Sequence, residues 1–348
     1  MKALVIKIAA IGDFLMATPA LRALKQAPAV SSLALLAGVS IADVVRSNPH
    51  LDKIFFLDDA KIFKGGFWAK LSEVLKISWR LRRERFDIGF NFHRDWRFNI
   101  ILFLSGCRRR IGFAQGRGKF LLSEAVPVEG VRHTIFRYCD LVRRLGVFCM
   151  DFGMEFPLAL GAVEAAAEKF LPPAKGGAPV VLVPGGAVNV KQEMTSRRWA
   201  EANFASLAGM LLQAGHRVVL LGNGGDGAIA AAIKALQPDV IDLTGKTSLA
   251  EAAAVMKEAC LVICNDSGLM HLAAAVHTPI IAIFGPTPVE ELKPLTENSV
   301  IVWKGQDLEC APCYRDGVFP ECDHRACLQR ISPQEIFELA HRFLQSRD

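Results

Sequence analysis

The stretch Ala259–Val289 reads ACLVICNDSGLMHLAAAVHTPIIAIFGPTPV. Its apolar run Leu261–Cys264 predicts a buried strand that stops at the polar turn Asn265-Asp266-Ser267-Gly268. A helical run follows, Leu269–Val276, and then a second buried strand, Pro279–Phe284, which ends in Gly285-Pro286-Thr287-Pro288. Strand, turn, helix and strand in this order make a βαβ unit with parallel strands. In open parallel sheets ligands bind at the carboxyl ends of the strands. The helix begins where the turn ends, so its free N–H groups and positive dipole end face that edge. Gly268 lets a ligand approach the backbone, and Ser267 offers a hydroxyl. Such a site suits an anion, most simply the diphosphate of a nucleotide. The plainer reading is that Asp266 and Ser267 cap the helix.

The chain has 348 residues, of which 51% are hydrophobic, enough for two cored α/β domains. No apolar run reaches the roughly 18 residues that a spanning helix needs. The opening MKALVIKIAAIGD is interrupted by Lys7 and Asp13 and reads as a first strand, not a signal peptide. A cytoplasmic location is therefore expected. The net charge of +6 is uneven. Residues 1–172 carry 26 Lys and Arg against 16 Asp and Glu, and residues 173–348 carry 15 against 19. The clusters Arg80-Leu81-Arg82-Arg83-Glu84-Arg85 and Arg108-Arg109-Arg110 make the first half suited to an anionic partner: a phosphorylated glycolipid, a membrane surface or nucleic acid. Ordinary solvated helix faces account for part of the excess.

Taken in order, the first half alternates strands and helices. Strands are predicted at 3–8, 33–37, 53–57, 87–92 and 110–113, and helices at 14–25, 41–46, 67–85, 99–104 and 133–145. Gly12-Asp13 falls on the first strand-to-helix turn, and Pro19 marks a kink or late start in the helix that follows. His93-Arg94-Asp95 follows the strand near Asn91. Pro157, Pro172, Pro173, Gly176, Gly177 and Pro179 punctuate a boundary that also holds an Ala-rich helix. A second alternating unit has strands at 180–183, 217–221, 240–243, 261–264 and 279–284. The expected domains are 1–172, 173–330 and a terminal helical segment 331–348 that packs back on the first domain.

The run Asn265-Asp266-Ser267-Gly268-Leu269-Met270-His271-Leu272, with Phe284-Gly285-Pro286-Thr287 after it, resembles the signature of glycosyltransferase family 9, the ADP-heptose:lipopolysaccharide heptosyltransferases. Other segments share the resemblance: Gly12-Asp13 with Thr18-Pro19-Ala20-Leu21, the helix opening His133-Thr134-Ile135-Phe136-Arg137-Tyr138, and Pro184-Gly185 with Arg197-Arg198-Trp199 after a long loop at 187–196. The resemblance implies a GT-B fold, α/β, with two Rossmann-like parallel-sheet domains facing across a cleft. It implies Asp13 as catalytic base and His271 as donor of a hydrogen bond to the leaving diphosphate. Donor contacts would come from Gly185, Arg197, Asp226, Thr247, Asp266, Ser267, Gly268 and Leu269. Acceptor contacts would come from Gly12, His93 and Arg94. Without the resemblance, Asp13 reads as a helix cap, His271 as a structural histidine, and His93 and His133 as locally bonded side chains.

Gly222-Asn223-Gly224-Gly225-Asp226-Gly227 also matches G-x-G-x-x-G after a strand, with Asp239 or Asp242 roughly 15–20 residues on, as a dinucleotide fingerprint requires. That fingerprint normally opens a domain's first βα turn, and here it follows the second strand. Thr244-Gly245-Lys246-Thr247 lacks the first glycine of a P-loop. Of nine cysteines, Cys310, Cys313, Cys322 and Cys327 form C-x2-C-x8-C-x4-C, near but not on familiar zinc spacings. Free thiols are the preferred state, ahead of a structural metal such as zinc and of a disulfide.

The expected reaction is inverting transfer of heptose from ADP-heptose to an anionic lipopolysaccharide inner-core acceptor, with no obligatory metal or cofactor. Peripheral contact with the inner face of the cytoplasmic membrane is expected and nucleic acid is not. The rivals are a GT-B enzyme using another nucleotide sugar, an NAD(P)-dependent oxidoreductase built on the Gly222 fingerprint, and a nucleic-acid binder using the basic half.

Overall fold

The structure, a computed structural model, describes residues 1–171, 177–186, 193–314, 322 and 324–345. The expected boundary at 172/173 and most of the long loop at 187–196 lie outside the described residues. Residues Met1–Glu155 form one compact unit, and the described residues from Phe156 onward form a second.

In the first unit β1 (Lys2–Ile6), β2 (Ser32–Gly38), β3 (Lys53–Leu57), β4 (Ile88–Asn91), β5 (Arg109–Phe113) and β6 (Glu124–Val126) make one sheet in the order β3-β2-β1-β4-β5-β6. Every pair in it is parallel. In the second, β7 (Val180–Val183), β8 (Val218–Leu220), β9 (Ile241–Asp242), β10 (Leu261–Asn265), β11 (Ile280–Phe284) and β12 (Ser299–Trp303) run β12-β11-β10-β7-β8-β9. This sheet too is parallel throughout. Counted from its own first strand, the second sheet has the strand order of the first. Both grow outward in two directions from a central pair, β1 with β4 and β7 with β10. That reversal is the switch point at which open α/β sheets bind ligands. The expectation of two Rossmann-like parallel sheets holds.

The central strands are apolar on both faces, as helices on either side require. Leu4, Val5, Ile6, Val181, Leu182, Ile263, Ile281 and Ile283 are all fully buried. The quoted stretch folds within a residue of its reading: β10 ends at Asn265, a helix covers Gly268–Ala275, and β11 covers Ile280–Phe284. The predicted helix at 14–25 divides into Ile11–Leu15 and Thr18–Gln26, with Pro19 in the first turn of the second. Proline lacks an N–H and fixes φ, so it fits a first turn and not a helix interior. The short helix Asp59–Lys64 and the edge strands β6 and β12 have no counterpart in the sequence reading. β6 is three residues long and starts with Glu124, which leaves no period to detect.

The terminal helix Pro333–Gln345 packs within the second unit: Ile336 and Ala340, both fully buried, belong to that unit's core with Phe204, Leu207 and Leu211. Its apolar stripe matches the open side of the helix Glu201–Gln213 beside it. The helix Ala162–Phe170 also belongs to the second unit, where it packs on Leu249–Glu258 and Lys169 pairs with Glu251 at 2.6 Å.

Asn265, at the end of β10, ties three segments together. Its Nδ2 donates to the carbonyls of Pro184 at 2.8 Å and Gly185 at 3.4 Å, beyond β7. Its Oδ1 accepts from the backbone N–H of Trp199 at 2.9 Å. Trp199, itself buried, donates through Nε1 to the Ile331 carbonyl at 3.0 Å. Asn265 is fully buried, so an apolar substitute leaves a donor and an acceptor without partners in the interior. Asn265→Leu is expected to cost about 2–4 kcal/mol, since each orphaned buried group costs about 1–3 kcal/mol. Urea unfolding checks this; a loss below about 1 kcal/mol would show that these groups find other partners.

Candidate functional site

Each sheet presents polar side chains at its own switch point. In the first unit, β1 runs on into Lys7 and the short helix that carries Asp13. Lys7 is buried, and its ammonium lies 3.6 Å from Asp13 Oδ2 and 5.5 Å from the centre of the Tyr138 ring. The same carboxylate oxygen accepts the Ala10 N–H at 3.3 Å. Tyr138 is stacked on Phe92 at 4.9 Å, just beyond β4. Its phenol is held well above its ordinary range, first by burial, then by the charge of Asp13, to which the hydroxyl hydrogen-bonds. Tyr138 therefore stays protonated and donates. Two hydrogen-bond donors, the Ala10 N–H and the Tyr138 hydroxyl, and the Lys7 ammonium orient the Asp13 carboxylate, whose side chain is still 40% exposed. A cap bond of 3.3 Å and a solvent-facing carboxylate coexist.

The β4 loop joins this cluster through the backbone. His93 Nε2 accepts the Ile8 N–H at 2.6 Å, and the His93 N–H donates to Asn91 Oδ1 at 2.9 Å. Asn91 Nδ2 donates in turn to Asn99 Oδ1 at 2.7 Å. His93 thus clamps the end of β1 to the β4 loop. Arg94 is exposed, donates to Gln115 Oε1 at 3.0 Å, and adds positive charge near Tyr138. Gly12 is buried in the short helix beside Asp13. His133 accepts the Ile135 N–H through Nδ1 and caps its helix.

In the second unit, Arg197 and Asp266 form a buried ion pair of 2.5 Å, with side chains 14% and 1% exposed. Thr287 Oγ1 donates to the same Asp266 oxygen at 2.5 Å. Asp266 Oδ2 is thereby committed to holding Arg197, while among the described residues Arg197 Nε makes no hydrogen bond. Ser267 precedes the helix Gly268–Ala275 in extended conformation, and its side chain makes no cap bond. Its Oγ is buried and finds no hydrogen-bond partner among the described residues. The capping alternative for Ser267 is not realised, so among the described residues the first N–H groups of the helix receive no cap from its side chain. Gly268 and Leu269 are half-exposed at that end, and His271, in the first turn, is buried.

The Gly185-Gly186 loop closes the other side of this group. A Cβ on Gly185 would fall 2.2 Å from the Asp226 carboxyl carbon, and one on Gly186, where φ is +85°, 2.8 Å from Ser267 Cβ. Asp226 accepts the N–H groups of Gly186 at 3.0 Å and Asn223 at 2.9 Å. Arg198 donates to the Gly186 carbonyl at 3.0 Å and pairs with Glu193 at 2.8 Å. Asp226 is 2% exposed, and its carboxylate braces two loops. Thr247 is half-buried in the loop after β9, at the far edge of the sheet order, and Gly245 of that loop approaches Gly224. Gly185, Arg197, Asp226, Asp266 and Ser267 come together through these contacts; among the described residues no such bond is seen for Thr247.

The residues missed in the sequence are the supporting ones: Lys7, Tyr138, Asn265, Arg198 and Thr287. Lys7 was legible as a lone charge in an apolar strand, and Thr287 as the last polar residue of Gly285-Pro286-Thr287. The Gly222 motif sits after β8, one strand removed from the switch point, and a Cβ on Gly227 would meet nothing within 4 Å. In a dinucleotide fingerprint that third glycine allows close helix–strand packing. Here no such packing requires it.

Cys310, Cys313, Cys322 and Cys327 line one small cavity with His324 and Arg325. None of the four forms a disulfide. Burial first, and then the neighbouring thiols, push Cys313 up to about 11. Among the described residues no group of three His, Cys, Asp or Glu side chains is disposed to hold a metal ion.

The model of the family described as glycosyltransferase family 9 (heptosyltransferase) matches residues 74–320. Lipopolysaccharide heptosyltransferase 2 of Salmonella typhimurium is 24% identical over 357 residues, covering 99% of each chain. The fold is similar to that of a family 9 glycosyl transferase from Veillonella parvula, with a TM-score of 0.81 at 21% identity over 99% of this chain and 97% of that one. It is also similar to the ADP-heptose lps heptosyltransferase II of E. coli, with a TM-score of 0.78 at 21% identity over the whole of both chains. The chain belongs to glycosyltransferase family 9, the heptosyltransferase family.

Proposed function

We propose that this chain transfers heptose from ADP-heptose to an anionic lipopolysaccharide inner-core acceptor, with inversion at the anomeric carbon. The observation that carries the donor side is the open N-terminus of the helix Gly268–Ala275, with the unpartnered Ser267 hydroxyl beside it and Arg197 fixed by Asp266. Backbone N–H groups, a hydroxyl and a guanidinium are what a diphosphate needs. Asp266 is buried behind Arg197, so its role is to position the cation rather than to touch the donor. Family membership supplies the sugar and the acceptor class. Another nucleotide sugar would use the same diphosphate site. The oxidoreductase reading loses its footing because its glycine motif lies off the switch point.

In this mechanism Asp13 takes the proton from the acceptor hydroxyl as that oxygen attacks the anomeric carbon. The bond from that carbon to the diphosphate oxygen breaks, and ADP leaves with the electron pair. Its charge is met by Arg197, the helix N–H groups and a hydrogen bond from His271. Lys7 and Tyr138 hold the Asp13 carboxylate in place. No step calls on a metal. We assign the basic first half to the acceptor, at the cytoplasmic face of the membrane.

Asp13→Asn keeps the shape and loses the basicity. Its kcat is expected to fall roughly 10²–10⁴-fold with ADP affinity little changed, and its stability to drop by no more than about 1 kcal/mol from the cap bond. Steady-state kinetics, calorimetry and melting on the one variant check this. Turnover within about threefold of wild type would place the base elsewhere.

Arg197→Lys keeps the charge beside Asp266 but loses the forked donor. It is expected to weaken ADP binding about tenfold while the chain stays folded. Calorimetric titration with ADP decides, and unchanged affinity would remove Arg197 from the donor site. Turnover is also expected to persist in excess EDTA; its loss, restored by added metal, would overturn the metal-free scheme.

A further inference from the structure

The helix Phe67–Glu84 buries one face in the first unit's core, where Ile77 and Leu81 pack with Leu4, Phe55 and Leu102. Its other face is apolar as well. Phe67, Trp68, Leu75 and Trp79 are 70%, 77%, 53% and 61% exposed. Trp68, Ser72, Leu75 and Trp79 are spaced by four, three and four residues, so they form one stripe along the outer side of the helix. Exposed apolar side chains scattered singly need no explanation, but an aligned row with tryptophan at both ends does.

The charges around the stripe have one sign. Lys76, Arg80, Arg82 and Arg83 are exposed on the same helix. Arg83 lies over the Trp79 ring at 4.8 Å, and Arg82 reaches the Leu104 carbonyl at 3.4 Å, next to the half-exposed Phe103. The helix has only two acidic residues, and neither opposes these cations from the outer face. Glu73 is buried and accepts the Asp58 N–H at 3.0 Å, and Glu84 is paired with Lys53. Among the described residues no helix is long and apolar enough to cross a membrane. An aromatic stripe flanked by Lys and Arg, on a helix anchored by its other face, is the pattern of a segment lying in the plane of an anionic bilayer. Tryptophan favours the headgroup region, and basic side chains beside it meet acidic lipid. A second copy of the chain fits less well. A two-fold contact through this face would set four cations against four more, with neither acid of the helix on the outer face to neutralise them.

We propose that the outer face of the helix Phe67–Glu84 docks the protein on an anionic membrane surface, with Trp68, Leu75 and Trp79 entering the headgroup layer. This face serves the lipid-borne acceptor proposed above, and in that it rests on that reading. None of its residues belongs to the Asp13 cluster or to the donor group, so its loss should leave the chemistry on a lipid-free acceptor intact.

The experiment is sedimentation of the full chain with vesicles of phosphatidylglycerol mixed into phosphatidylcholine, and with vesicles of phosphatidylcholine alone. Wild type is expected to sediment with the first, to release as salt rises, and to show a blue-shifted tryptophan emission when bound. The triple variant Trp68→Ser, Leu75→Ser, Trp79→Ser changes only exposed positions and should keep the wild-type melting temperature. It is expected to lose about tenfold or more in vesicle affinity, with kcat on a delipidated oligosaccharide acceptor unchanged. Equal sedimentation of wild type and variant, or no sedimentation of wild type with anionic vesicles, overturns the proposal. So does a wild-type dimer that the variant converts to monomer, because a second copy would then cover the stripe. Vesicle binding as expected, without turnover by either protein on the soluble acceptor, would overturn the transferase mechanism and leave the docking face standing.

Discussion

The carboxamide of Asn265 is the constraint on which the donor loops depend. Where β10 ends, the backbone leaves the sheet and its neighbours lose their ladder partners. The Pro184 carbonyl and the Trp199 N–H both point into that gap, and both are satisfied by one side chain. Only a group with a donor at one end and an acceptor at the other can do this in a dry interior. An aspartate would set a negative oxygen against a carbonyl. By fixing Trp199, Asn265 also fixes the chain just after Arg197 and Arg198. By fixing Gly185, it fixes the loop that Asp226 and Ser267 close upon.

Burial of charge follows the same logic on both sheets. Asp266 and Arg197 are out of water, and their pairing offsets a desolvation cost that neither could meet alone. The pair leaves the cation with donor capacity unspent and the anion with one oxygen doubly held. In the first unit the arrangement is reversed. There the cation, Lys7, and the phenol, Tyr138, are buried, and the carboxylate of Asp13 is the member that reaches solvent. One topology, used twice, presents a cationic group at one switch point and an anionic group at the other.

Much of this was legible residue by residue. The run Leu261–Phe284 could only be strand, turn, helix and strand. Its two β-rich apolar segments, Leu261–Cys264 and Pro279–Phe284, are too short for helices, and its polar tetrapeptide is too sharp a break for anything but a turn. Pro19 announced a second helix start. The acidic and basic site candidates also stood out, because each lies where an apolar run stops. Less legible was the direction in which a side chain is spent. Asp226 and Asp266 look alike in sequence, two acids at helix starts after buried strands. The first is consumed by the N–H groups of Gly186 and Asn223, the second by Arg197 and Thr287.

The sequence by itself determined the alternation of strands and helices, the loops at the carboxyl ends of the strands, and the anion-suited turn before Gly268. These depend on local pattern: hydrophobic period, glycine and proline, and the residues at helix starts. Tertiary structure alone decided the strand order, and with it that the Gly222 motif falls one strand away from the switch point. It decided that the terminal helix closes over Phe204 and Leu207. It also decided which polar groups brace loops and which face outward, including the tryptophan stripe on Phe67–Glu84, whose inner face alone finds a core. Contacts between residues far apart in the chain carry no local signature, because burial of a side chain depends on which surface another segment happens to cover.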